Sequence, residues 1–131
     1  MKKKKFLRNE EGFTLIEIIA VLVILGILAA VAVPKYFDLQ TKAREKAIYT
    51  ALSEIKVRIN QHFASRLLQG DTKGQITFNS DDVGTNIGPD FLISLWTWNA
   101  GDTQVSFNIT YPATDPNPTT QNHTLKLPIF Q

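Results

Sequence analysis

No cysteine occurs in the 131 residues, which excludes a disulfide framework, a thiolate metal site and a cysteine nucleophile. Histidine is nearly as scarce: His62 and His123 stand 61 positions apart, with no acid or cysteine in a ligand spacing beside either. There is no glycine-rich phosphate loop, no Ser-His-Asp set and no carboxylate pair with an evident pocket, so the chain reads as a non-enzyme with no cofactor. Charge of one sign is also lacking. The excess of basic residues sits in Lys2, Lys3, Lys4, Lys5 and Arg8, and residues 13–131 sum to about −1, which excludes a nucleic-acid-binding surface.

The scarcest ingredient of all is polarity between Phe13 and Val33. Over these 21 residues there is no lysine or arginine, and the run is apolar apart from Thr14, Glu17 and Gly26. At a rise of about 1.5 Å per residue such a helix spans about 31 Å, close to the hydrocarbon thickness of a bilayer. The basic block before it predicts a cytoplasmic N-terminus and places residues 35–131 outside the cytoplasm, against a weaker opposing bias from Lys35, Lys42, Arg44 and Lys46. Two ordinary readings remain open here. One is a secretory signal peptide cut after Ala30-Val31-Ala32, although such segments are shorter and seldom contain an acid. The other is a plain single-pass anchor, which leaves the carboxylate of Glu17 facing lipid without a purpose.

The basic residues from Lys2 to Arg8, the string Gly12-Phe13-Thr14-Leu15-Ile16-Glu17, the apolar run with Gly26 and the closing Pro34 resemble the N-terminus of type IV pilins and type II secretion pseudopilins. The stretch Pro34 to Gln40 with Ala43-Arg44 is also similar to pilins of the mannose-sensitive haemagglutinin type. The resemblance implies a basic leader over residues 1–12, cleavage after Gly12 by a prepilin peptidase on the cytoplasmic side, and methylation of the new terminus at Phe13. It further implies storage in membrane lipid, an inner-membrane assembly platform, and packing with copies or related pilins into an extracytoplasmic filament. Residues 13–33 would then be the transmembrane and filament-core helix. Within that frame Glu17 has a physical role: a freed amine on Phe13 would lie about 6 Å along the axis, within reach of a neighbour's carboxylate in a helical stack. An unmatched Glu17 in an apolar bundle is costly, so the pair selects register between subunits. A pilus subunit is preferred to a secretion pseudopilin, since residues 70–131 carry no feature assignable to the latter; a membrane-anchored or secreted binding domain is the competing class.

Beyond Pro34, where a kink is expected but not a stop, Phe37, Arg44, Ile48, Leu52, Ile55, Ile59, Phe63 and Leu67 recur at helical spacing, with Ala47 and Ala51 beside them. This predicts one helix from Phe13 to about Leu68, with residues 34–70 as its amphipathic continuation, ended at Gly70. Residues 71–131 read as sheet. Strands are predicted at Gln75–Phe78, Phe91–Trp98, Gln104–Tyr111 and His123–Phe130, with Pro112–Asn122 as a loop. Four short strands on one amphipathic helix make an α+β, pilin-like domain with an antiparallel sheet. Many members of the resembled family close this region with a disulfide, which this chain lacks.

Three further features stand out. Asp81 and Asp82, with Asn79, Thr85 and Asn86 nearby, supply oxygen ligands of the kind calcium takes, without the EF-hand order; a solvated turn is the plainer reading. Asn108-Ile109-Thr110 and Asn122-His123-Thr124 match the N-glycosylation triplet. Trp96 and Trp98 fall on one predicted strand face, as core packing or as an adhesive aromatic surface.

Overall fold

Thr14 sets where the long helix begins. Its carbonyl accepts the N–H of Ile18 at 3.2 Å, and its hydroxyl accepts the N–H of Glu17 at 3.3 Å, which is how a threonine ahead of a helix satisfies an otherwise orphaned donor. In the computed structural model, which describes residues 12–128, helix α1 therefore spans Leu15–Leu68 rather than starting at Phe13. The leader up to Glu11 and the end of the fourth predicted strand lie outside the described residues. The helix continues through Pro34. Its far end is closed as the sequence predicts: Gly70 has a φ of 93°, the Gly70 N–H bonds the Leu67 carbonyl at 3.1 Å and the Asp71 N–H bonds the Arg66 carbonyl at 3.2 Å. That pair of bonds around a left-handed glycine is a Schellman motif.

The chain divides into two units, 1–39 and 40–131. In the first, every described side chain is exposed, including all of the apolar residues from Phe13 to Val33. Among the described residues this is the one helix long and apolar enough to cross a membrane.

In the second unit the amphipathic stripe meets a sheet. Ile48, Ala51, Ile55 and Ile59 are buried with Val105, Phe107, Ile109 and Leu127, and with Ile76, Phe78 and Val83 from the segment between helix and sheet. Leu52 and Phe63 pack at the edge of this core. A short helix α2, Ser80–Val83, precedes three antiparallel strands in the order β1-β2-β3: β1 Leu92–Thr97, β2 Gln104–Tyr111 and β3 Thr119–Lys126.

The sheet has three strands, not four. Gln75–Phe78 does bury Ile76 and Phe78, but its carbonyls are taken by side chains: Trp96 Nε1 donates to Phe78 O at 2.7 Å, and His62 Nε2 lies 2.9 Å from Thr77 O. Backbone groups satisfied in this way need no strand partner. The last strand is displaced upstream of the predicted 123–130. Pairing with β2 runs without a shift from Tyr111↔Thr119 to Gln104↔Lys126, so the polar residues Thr119 to Asn122 belong to the ladder and not to the loop. Leu127 follows it, buried, with its N–H on Thr103 O at 2.9 Å.

β1 carries a bulge. Ser94 faces Asn108 and Thr97 faces Ser106, leaving Leu95 and Trp96 together opposite Phe107. Leu95 takes φ 52°, which turns its side chain out to 73% exposure, while Trp96 turns in and stacks on Phe107 at 5.0 Å.

Candidate functional site

The residues named from the sequence fall in both units. Gly12, Phe13, Glu17 and Pro34 belong to the first. Phe13 and Thr14 precede the helix, and Phe13 is 79% exposed. A Cβ built at Gly12 meets nothing within 4 Å, so any need for glycine there comes from outside the fold. Glu17 sits in the first turn, three residues after Thr14. Thr14 and Glu17 together have the spacing of a capping box, in which an acid in the first turn also suits the helix N-terminus. Sequence reasoning missed Thr14 as the capping residue, although Thr-x-x-Glu ahead of an apolar run is the signal that would have found it.

The two acids of α2 do not come together as ligands. Asp82 Oδ2 accepts from Thr77 Oγ1 at 2.6 Å, from Asn79 Nδ2 at 3.2 Å and from the Asn79 N–H at 3.3 Å. The Thr77 hydroxyl chiefly, then Asn79 and His62, hold this carboxyl below its ordinary 3.8, against a smaller opposing effect of burial. Asp81 is exposed. The loop that follows is occupied by a cation of the protein itself: Arg58 Nη1 donates to Gly84 O at 2.6 Å and to Asn86 O at 3.0 Å. Among the described residues no group of three or more histidines or acids gathers at one point.

The tryptophans are packing residues in this arrangement. Trp96 lies on Phe107 with its N–H on Phe78 O, and Trp98 meets Phe78 edge-on at 6.0 Å. The asparagines of the two glycosylation triplets are cross-strand partners on the sheet's outer face, joined by Asn122 Nδ2 to Asn108 Oδ1 at 2.8 Å. His62 bonds the Thr77 carbonyl. His123 instead stands opposite Phe107 with Nε2 buried and unpartnered, and burial lowers its pKa from 6.5.

Three arginines tie the helix to the segments around it, and the sequence did not disclose the distant partners of Arg44 and Arg58. Arg44 reaches Asp115 at 2.6 Å and the Asn117 carbonyl at 2.9 Å; Arg58 holds Glu54 as well as residues 84 and 86; Arg66 meets Asp71 at 2.6 Å. The one visible hint was Arg44, a cation standing in the apolar stripe.

Residues 7–33 match the model of the prokaryotic N-terminal methylation motif. The chain is 34% identical over 98 residues to the type IV narrow pilus major component PilA5 of Thermus thermophilus, covering 75% of this chain and 78% of that protein. It is 31% identical over 78 residues to the type IV major pilin protein PilA of Myxococcus xanthus, covering 60% of this chain. It is 40% identical over 65 residues to the type IV major fimbrial protein FimA of Dichelobacter nodosus, covering half of this chain. The chain spans 36% and 38% of the lengths of these last two. No solved structure gives a significant match. With a capped apolar helix, an amphipathic continuation packed on an antiparallel sheet and a relative matched over most of both lengths, this chain belongs to the type IV pilin family.

Proposed function

We propose that the chain is the structural subunit of a type IV pilus-like filament. It is made as a membrane-inserted precursor with its leader in the cytoplasm, cut after Gly12 by a prepilin peptidase, methylated at Phe13, and passed by an inner-membrane assembly platform into a filament of like subunits outside the cytoplasm. The observation that carries this reading is the exposure of every apolar side chain from Leu15 to Val33. A helix apolar on all sides is stable only when lipid or other helices surround it, so the segment exchanges one cover for the other. Loss of the basic leader removes charge that has no place in an apolar bundle.

Glu17 gives the exchange its register. Its carboxylate is exposed at the start of the helix, and in a stack of helices it is matched by the amine freed on a neighbour's Phe13. The reading is of a structural protein and not an enzyme. A pilus is favoured over a secretion pseudopilus because the named relatives are pilus and fimbrial components.

N-terminal mass analysis of the mature protein tests the proposal. A terminus at Phe13 or methyl-Phe13 is expected, with the chain present in thin fibres of the sheared surface fraction. A terminus at Val33 would instead identify a signal peptide, and an intact Met1 a plain anchor.

A further inference from the structure

A groove runs along the first unit where the apolar run ends. Its volume is about 480 Å³, and it is lined by Leu28, Val31, Ala32, Lys35, Tyr36 and Leu39, all exposed. At about 100° per residue these six lie within about 140° of one another, so one side of the helix forms it. The smallest of them, Ala32, stands between Leu28 and Tyr36, one turn to either side, and leaves the space that the larger side chains border.

The groove has a defined depth. Counting about 1.5 Å per residue from Leu15, a hydrocarbon layer of about 30 Å ends at Lys35, and the further rise to Leu39 is about 6 Å, close to the thickness of one headgroup layer. Leu28, Val31 and Ala32 then lie at the depth of acyl chains. Lys35 and Tyr36 stand at the boundary, where an ammonium on a long apolar stem and a phenol hydroxyl both reach headgroups. Lys35 is the one lysine or arginine between Gly12 and Leu39. It makes no ion pair among the described residues, and the acid nearest in sequence, Asp38, falls about 60° round the helix and outside the groove.

We propose that the occupant of this groove, while the chain is stored in the membrane, is one anionic phospholipid of the leaflet remote from the leader. An acyl chain lies along Leu28, Val31 and Ala32, and the phosphate meets the Lys35 ammonium and the Tyr36 hydroxyl. The argument for this occupant is charge complementarity at a fixed depth: the groove is apolar below and cationic at its mouth, and the cation has no acid of its own. A zwitterionic headgroup brings a cation that already matches its phosphate, whereas an anionic one leaves its charge to Lys35. The inference rests on the reading of a membrane-inserted precursor and adds to it the class of lipid. It also gives that lipid a part in assembly, since the seated molecule has to leave before another helix covers this side.

The test places the isotope-labelled full-length chain in phosphatidylcholine bicelles and titrates in phosphatidylglycerol, following amide shifts across residues 28–39 by NMR, apart from those of the basic leader. Saturable shifts are expected there. Lys35→Gln should raise the phosphatidylglycerol fraction at half-saturation roughly fivefold, the effect of one lysine near a charged surface. Lys35→Arg keeps the charge and should keep the titration. Ala32→Leu leaves the charge and the apolar character of the span intact but fills the groove, and should abolish the saturable shifts. Shifts that rise without saturating, or a half-point unmoved in Lys35→Gln, overturn the site. An unchanged titration in Ala32→Leu also overturns it, as attraction to the charged surface alone, and so does loss of the titration in Lys35→Arg. Failure of the unaltered chain to enter bicelles of either composition overturns the membrane-precursor reading itself, a separate outcome.

Discussion

Arg44 and Asp115, 71 positions apart in the chain, meet at 2.6 Å with both side chains mostly shielded from solvent, and the same guanidinium takes the Asn117 carbonyl. One side chain of the helix thus holds the proline-rich β2–β3 loop. Arg44→Ala is expected to cost about 1–3 kcal/mol, since it leaves a partly buried carboxylate and a carbonyl without donors. Arg44→Lys recovers only part, because a lysine lacks the planar fork that serves both acceptors. Urea unfolding of the full chain in detergent, followed by tryptophan fluorescence, measures both; equal midpoints for all three chains would contradict the role given to the pair.

His123 predicts an acid limb to the head's stability. Burial lowers its pKa below 6.5, so the folded chain holds it neutral while the unfolded chain protonates at the ordinary value. The stability is fully present above pH 6.5 and is lost as pH falls through the folded value. His123→Leu should flatten the unfolding midpoint between pH 7 and 5, relative to the unaltered chain. An acid limb of equal slope in that variant would assign the effect elsewhere.

Thr14 and Glu17 separate helix initiation from assembly. Thr14→Ala removes the cap and is expected to weaken the first turn by about 0.5–2 kcal/mol, seen as faster amide exchange at residues 15–18 in micelles, with fibre formation retained. Glu17→Ala should remain membrane-inserted and yet give few fibres. Normal fibre numbers from the Glu17 variant would remove the register argument.

Leu95 holds a left-handed backbone at the β1 bulge with its side chain in water, so glycine there loses little burial and relieves a strained φ. Leu95→Gly is predicted to raise stability by about 0.5–1 kcal/mol. A lower urea midpoint would mean that the exposed leucine has a contact the isolated chain does not display.

Much of this was legible in the residues themselves. The helix end at Leu68 followed from the stripe running out ahead of Gly70, and β2 followed from strict alternation of Val105, Phe107 and Ile109. The helix start was two residues late because a threonine cap competes with an apolar pattern that reads straight through it. Ile76 and Phe78 gave a true burial signal and a false strand, since alternation reports which side chains are inside and is silent on who bonds the carbonyls. β3 was misplaced for the opposite reason: Thr119 to Asn122 look like loop, yet a partner strand of full length enlists them. The Arg44–Asp115 pair was out of reach, because a partner 71 positions away among several aspartates depends on the topology.

Those three arginines also have a mechanical meaning. They are attached at residues 44, 58 and 66, spread over about 33 Å of one helix, and each grips a different loop. In a pulled fibre, tension along the helix would load the Arg44 and Arg58 contacts together, since each ties the helix to a segment far along the chain, while Arg66 secures the turn that closes the helix itself.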